Sequence, residues 1–388
     1  MIDQLVLRCT FNRDIDHIPG SSMYAWSRFD ISKLGVILEG EILPDRSVGK
    51  LRHPWEKIHS SLSGVAFKVF HSIQSICKPE PYIEIKASPA KVMQGHNIYG
   101  SLNLEECALA IIEVLFVTYP DLVPHLDQAT WEVAELHVTF FSRAPSEREA
   151  ELFVRALQNI SRGHTKARQG YATTSYFGQK KTRLKANRIY CKYPEVIDCI
   201  NKLKRKEDAN KNLLEIYEDR LINFAKGMIR WESIIKSRWL ERRRIPTNLA
   251  ELINIWDDKL AEDIWQETNK DILHAIGSTD MRVPSDDKIL DKLKLAFGST
   301  SKKTGKMSYT RAESVYKSYR SIRSEGYEEW RKHTSSSTRS RHLKDLAAIG
   351  LPLALLQQHK GDGLASEVVP MVRYICVDFG AQRPAWAA

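Results

Sequence analysis

Cysteine is scarce in this 388-residue chain: Cys9, Cys77, Cys107, Cys191, Cys199 and Cys376 are scattered, with no C-x-x-C pair among them. That spacing excludes a disulfide framework and the common cysteine zinc sites, leaving reduced structural thiols. No run of about 18 apolar residues is present, so a membrane-crossing helix is not expected. The opening Met1-Ile2-Asp3-Gln4-Leu5-Val6-Leu7 lacks the basic start and apolar core of a secretory signal, which makes a cytoplasmic protein the expectation. Repeats of solenoid type are missing as well. The most informative absence is local. From Arg162 to Pro194 there is no Asp or Glu against nine Lys or Arg.

The whole chain has 58 Lys and Arg against 48 Asp and Glu, a formal charge of +10. Such a field favours polyanionic partners, nucleic acid first and an anionic membrane second. Tyr171, Tyr176, Phe177, Tyr190 and Tyr193 interleave with the acid-free stretch, a combination that grips backbone phosphates and stacks on unpaired bases. A second basic region, Lys302 to Lys344, holds twelve Lys or Arg against four Glu; there DNA contact and a plain solvated helix face weigh equally. With 43% hydrophobic and 27% charged residues the chain is a folded one, long enough for two or three domains.

Ile2 to Leu7, Val65 to Phe70 and Tyr82 to Lys86 read as strands between turn residues. Asn103-Leu104-Glu105-Glu106 opens a helix that ends before Pro120, and Ser146-Glu147-Arg148-Glu149 opens another carrying Leu152, Phe153, Leu157 and Ile160. Tyr171 to Lys192 reads as a hairpin turning near Gly178 to Thr182, and Lys202 to Asn212 as a charged linker. From about Leu213 the pattern is mostly helical, with a Ser/Thr/Arg-rich loop at Ser335 to Arg341 and a last apolar stretch, Val368 to Asp378.

Alternation along Trp131 to Phe141 puts Ala134, Leu136, Val138 and Phe140 on one face and Glu135, His137 and Thr139 on the other. A carboxylate and an imidazole side by side suit a divalent cation, although on spacing alone a half-solvated strand is the stronger reading. On the Leu184 to Lys192 strand, Arg188, Tyr190 and Lys192 share a face. A nucleophilic tyrosine needs neighbouring positive charge, and cations also clamp a phosphoryl group under attack. Taken alone, Tyr190 is an ordinary half-buried tyrosine; its basic surroundings shift the weight towards DNA chemistry. Lys180, Lys181, Arg183, Lys185 and Arg230 are candidate DNA contacts. Arg230 and Glu232 share a face if Gly227 to Glu232 is a strand and diverge if it is helical. Ser88 to Asn97, rich in turn residues, reads as a loop, and its His96 as structural rather than a ligand.

These residues carry a resemblance. Met1 to Arg8, Glu84 to Asn97, Val368 to Arg373, Val377-Asp378-Phe379 and Gln382-Arg383-Pro384 are similar to runs in the gene II replication proteins of filamentous phages. The resemblance covers almost the whole chain. The family's Tyr-x-Lys-x-x-Glu pattern is matched by Tyr190, Lys192 and Glu195, and its Arg-aromatic-Glu element by Arg230-Trp231-Glu232. Its Arg-hydrophobic-Asp on the central strand is replaced by Glu135-Leu136-His137, closer to the His-hydrophobic-His of the wider rolling-circle nuclease group.

The resemblance implies an α+β fold, with an N-terminal antiparallel-sheet nuclease domain over residues 1–235 and a mainly helical region over 236–388. It implies a rolling-circle initiator in the host bacterial cytoplasm. Mg²⁺ or Mn²⁺ would be held by some of Glu135, His137, Glu195 and Glu232, and Tyr190 would attack the origin DNA to leave a 5′-phosphotyrosine, with Arg188 and Lys192 beside it. Host helicase, DNA polymerase and self-association are implied partners, and Met281 is an implied internal start. Two rivals stand beside this reading: a tyrosine recombinase or topoisomerase, which lacks a His-x-x-Arg ahead of the tyrosine here, and a DNA-binding regulator without catalysis.

Overall fold

The computed structural model describes residues 1–12, 39–42, 44, 48–52, 54–59, 62–70, 82–158, 161–162, 165–168, 173–178, 182–205, 211–276, 286–300, 307–349, 351, 356–357 and 376–387. Its strands are β1 (Ile2–Thr10), β2 (Glu39–Ile42), β3 (Val48–Arg52), β4 (Glu56–His59), β5 (Gly64–Phe70), β6 (Tyr82–Ala87), β7 (Glu132–Arg143), β8 (Ser161–Arg162), β9 (Thr165–Arg168), β10 (Thr174–Phe177), β11 (Lys185–Cys191), β12 (Met228–Lys236), β13 (Ser299–Thr300) and β14 (Met307–Ser308). Its helices are α1 (Pro89–Gln94), α2 (Leu104–Thr118), α3 (Glu147–Leu157), α4 (Lys192–Lys204), α5 (Lys211–Ile216), α6 (Asp219–Ala225), α7 (Ser237–Arg242), α8 (Leu249–Ile255), α9 (Asp258–Ile276), α10 (Asp286–Phe297), α11 (Thr310–Glu325), α12 (Tyr327–His333) and α13 (Ser336–Ala348). The α+β expectation therefore holds: an antiparallel sheet followed by a mainly helical C-terminal part.

One sheet dominates, in the order β4-β5-β6-β1-β7-β12-β11-β10-β9-β8. The long β7 lies at its middle, paired antiparallel with β1 on one side and β12 on the other. One face is apolar because alternate residues of these strands are: Leu5, Leu7, Leu136, Val138, Phe140, Ile189, Trp231 and Ile235 are all buried. The helices α2, α3 and α9 cover it. Asn103 caps α2 by accepting the Glu106 N–H, and Leu104, Cys107, Ala108, Ile111 and Leu115 recur at helical spacing on its buried side. Ser146 caps α3 likewise, which brings Phe153 against Trp231 at 5.9 Å; Trp265 of α9 meets the same indole at 5.9 Å.

Four expectations need correction. The alternation of β7 is broken by a β-bulge, since Val6 opposes Glu135 while Leu7 opposes Val133. Ala134 is the extra residue, so Val133 rather than Ala134 enters the core. Lys192 is not on the strand but opens α4. The segment around Ser88 to Gln94 is the short helix α1 rather than a loop. Ser335 to Arg341 is not a loop either: the Ser335 hydroxyl accepts the Thr338 N–H and starts α13, whose His342, Asp345 and Leu346 are buried. Cap and burial there overcome the weak helix preference of Ser and Thr.

Across the expected boundary at 235/236 the two parts pack closely. Phe379 wedges between Phe140 at 4.8 Å and Trp265 at 5.6 Å. Where β1 has run out, the Gln382 side chain takes its place beside β7, accepting the Phe141 N–H at 2.8 Å and donating to the Phe141 carbonyl at 3.1 Å. A backbone edge that would otherwise be buried unpaired is thereby satisfied.

Gly227 sets the start of β12. It has φ of +66°, and an added Cβ would lie 2.4 Å from the Ala144 carbonyl oxygen. Gly227→Ala should therefore destabilise the protein by about 1–3 kcal/mol in urea unfolding; a variant as stable as the parent would mean that this turn is not the constraint described.

Candidate active site

The other face of the sheet carries the polar side chains. Glu135 and His137 on β7, Arg230 and Glu232 on β12, and Arg188 and Tyr190 on β11 stand on it, with Arg188 opposite Glu232 and Tyr190 opposite Arg230. The strand alternative for Gly227 to Glu232 is the one realised. A small apolar cluster of Ile98, Phe141, Val196, Leu221 and Met228 under α4 and α6 closes one end of this face. Tyr190 is only 5% exposed.

A chain of hydrogen bonds and ion pairs crosses the face. His137 Nε2 lies 2.6 Å from Glu135 Oε1, and Nδ1 lies 2.6 Å from Glu232 Oε1. Glu135 also pairs with Lys236. The second oxygen of Glu232 accepts from Arg188 Nε at 2.7 Å. Asp3 Oδ1 pairs with Arg230 at 3.3 Å and accepts from Asn97 Nδ2 at 2.7 Å. Asn97 turns its side-chain oxygen Oδ1 to Lys192 Nζ at 2.9 Å, and Lys192 pairs with Glu195. The guanidinium of Arg188 stands 4.7 Å from the centre of the Tyr190 ring and that of Arg230 6.0 Å.

Burial works against every charge here, and the pairing decides the outcome. For His137 burial would lower the pKa, but the bonds to Glu135 and Glu232 outweigh it and hold it at about 9. Glu135 is opposed by burial yet drawn down to about 2 by His137 and Lys236. Glu232 is likewise opposed by burial yet lowered, first by Arg188 and then by His137. Burial lowers Lys192 to about 8 despite Glu195. For Tyr190 burial pushes the phenol well above its ordinary value, against the pull of Arg230 and Arg188. The tyrosine is thus a neutral phenol in the free protein.

The structure brings Tyr190, Arg188, Arg230, Glu135, His137 and Glu232 together. Glu195 stands with Lys192 rather than with His137. Lys185 points away from Tyr190, its Nζ donating to the Thr268 carbonyl of α9 at 2.8 Å, and Arg230 is 1% exposed. Neither of these cations has a free outward position. Arg183 is exposed; Lys180, Lys181 and Met281 lie outside the described residues. His96 is buried, accepts the Ile98 N–H on Nδ1 at 3.3 Å and is pushed down to about 4 by burial and Lys192, a neutral structural histidine. Sequence reasoning missed Asp3 and Asn97 as site residues. The signal for Asp3 was a lone carboxylate inside an apolar strand.

Among the described residues no three His, Cys, Asp or Glu side chains stand as a ready ligand cluster, because both His137 nitrogens are turned to carboxylates. In kind the donors fit a hard divalent cation: two carboxylates and an imidazole, with the buried Thr139 hydroxyl, which has no hydrogen-bond partner among the described residues, opposite Glu232. His137 serves as a ligand only once it has lost a proton.

Fold and site define an α+β protein that holds one tyrosine among paired arginines on the polar face of an antiparallel sheet. The N-terminal family model of the phage replication-associated protein, the gene II product, matches residues 1–255, and its C-terminal family model matches residues 302–388. The chain belongs to this replication-associated protein family of filamentous phages. It is 30% identical to the replication-associated protein of Salmonella phage IKe, over all of this chain and 96% of that protein. Identity is also 30% to the replication-associated protein of Enterobacteria phage M13, over all of this chain and 98% of that protein. No solved structure matches.

Glu232 is the pivot of the cluster. Glu232→Ala takes from Arg188 its close partner and leaves His137 with Glu135 alone, and should cost about 3–5 kcal/mol in urea unfolding, whereas Lys202→Ala, which breaks the exposed pair with Asp198 on α4, should change stability by under about 1 kcal/mol. Equal effects would contradict the buried pairing. His137 also makes stability depend on pH. Its pKa rises from 6.5 to about 9 on folding, so its contribution is complete below pH 6.5 and fades as pH climbs through 9. With EDTA present, wild type should lose on the order of 3 kcal/mol over that window relative to His137→Gln; parallel pH profiles would remove the imidazolium from the account.

Proposed function

We propose that this chain initiates rolling-circle replication of a filamentous phage genome by cutting one strand of the origin with Tyr190 and later rejoining it. The observation that carries the reading is the placement of Tyr190: the pattern tyrosine of the family lies between Arg188 and Arg230 on the face that also holds Glu135, His137 and Glu232. The phenol oxygen bonds to phosphorus as it gives up its proton, the bond to the 3′-oxygen breaks, and that oxygen takes up a proton. A 5′-phosphotyrosine and a free 3′-OH result. Because the phosphodiester energy is kept in the new ester, rejoining needs no ATP, and a host DNA polymerase extends the 3′ end between the two steps.

The residues divide this work. Arg188, whose side chain is 34% exposed, is the cation that meets the scissile phosphate. Arg230, wholly inside, fixes Asp3 and the Tyr190 ring. Lys192 and Asn97 brace the start of α4 beside the tyrosine. Mg²⁺ or Mn²⁺ bound by Glu135, His137 and Glu232 would supply Lewis-acid polarisation of a phosphate oxygen. Lys180, Lys181 and Arg183 add to the capture of the strand, and host helicase opens the duplex ahead of it.

The test is to incubate wild type and Tyr190→Phe with supercoiled replicon DNA in Mg²⁺, Mn²⁺ or EDTA and to look for relaxed circles and for protein on labelled ends. Wild type should cut only with metal and stay on the 5′ end, and Tyr190→Phe should bind equally while losing at least about 10³-fold in nicking. Normal cutting by Tyr190→Phe would move the nucleophile elsewhere. Protein on the 3′ end would favour a recombinase, and binding without any cutting a regulator.

A further inference from the structure

We infer that α13 is the element that reads duplex DNA, with Ser336, Ser337, Ser340, Arg341 and Lys344 as its contact face. This rests on the reading above, that the chain works at a replication origin, and adds the surface that recognises the duplex before a strand is cut. In sequence, α12 is followed by Thr334, by the cap Ser335 and then by α13: a short helix, a tight turn and a longer helix.

The inner side of α13 is fully occupied. His342 Nδ1 lies 2.8 Å from the Ser318 hydroxyl of α11, Asp345 takes two bonds from Arg311 at 2.7 and 3.0 Å, and Leu346 is buried. Arg339 donates to the Arg331 carbonyl in the last turn of α12 at 2.6 Å, which fixes one helix against the other. The outer side is different. Ser336, Ser340 and Lys344 follow one another at four-residue steps, Ser337 and Arg341 lie beside them, and all five are exposed.

No carboxylate shares that stripe, because the single acid of α13, Asp345, is buried and paired. The neighbouring α12 shows what a merely solvated face looks like: Glu328 pairs with Arg331, and Glu329 with Lys332 and His333. One helix cancels its own charge; the next presents cations and hydroxyls only. An exposed helix of this composition fits the major groove, where Arg reads a guanine edge in bidentate fashion and Ser and Lys hold base edges or phosphates.

The experiment measures binding of full-length protein to double-stranded fragments tiled along the replicon that encodes the chain, and to a random-sequence duplex, over a salt series. Arg341→Ala/Lys344→Ala should weaken binding to the preferred fragment at least about tenfold, lower the salt slope by about 2, and narrow the gap to random duplex. Lys259→Ala, an exposed cation on α9, should do neither. Nicking of the same origin supplied single-stranded should be unchanged in the double variant, which separates a binding face from a folding defect. Wild-type duplex affinity and salt slope in the double variant would overturn the inference while leaving Tyr190 chemistry untouched. Conversely, if wild type cuts nothing yet loses duplex binding on the double substitution, the nuclease reading fails and this surface stands.

Discussion

A carboxylate that is almost wholly out of water must be matched on both oxygens, and Glu232 is that carboxylate. Its two partners come from different strands, Arg188 from β11 and His137 from β7, so the match exists only if three strands hold one register. The apolar face demands the same register independently. A shift of β12 by one residue would send Trp231 to the polar side and Glu232 into the core against Phe153 and Trp265. Ion cluster and hydrophobic core thus select the same pairing, and the geometry around Tyr190 follows from it.

How much of this was legible depends on the distance a feature spans. Two-residue alternation already placed Arg188 with Tyr190 and Glu135 with His137, because a strand's faces are a local property. Arg230 and Glu232 stayed ambiguous until the secondary structure of the segment was known. Asn97 was out of reach, since it meets Asp3 across 94 positions and its backbone carbonyl meets Arg230 across 133, and Asp3 showed only as a lone carboxylate in an apolar strand with nothing to name its partners. The Ala134 bulge depends on how β1 pairs with β7, which no single strand records. The helix at Ser336 was hidden for another reason: Ser, Thr and Arg repeated in a row look like a loop, and only the Ser335 cap and the burial of His342 and Leu346 make them helical.

The basic composition also resolves into two populations. Arg188, Arg230, Lys192 and Lys236 are tied to carboxylates of the site, and Lys185 to backbone carbonyls of α9. The first four shape the site and contribute little to the outer field, because their charge is cancelled within a few ångströms. The attraction that a formal charge of +10 exerts on a polyanion must come from others, such as Arg183, Arg341 and Lys344, which face outward. Screening then acts unequally: salt weakens the exposed set and barely reaches the buried one. The outer field that attracts a polyanion and the arrangement of the site around Tyr190 are for that reason separable, carried by different residues and answering to different solution conditions.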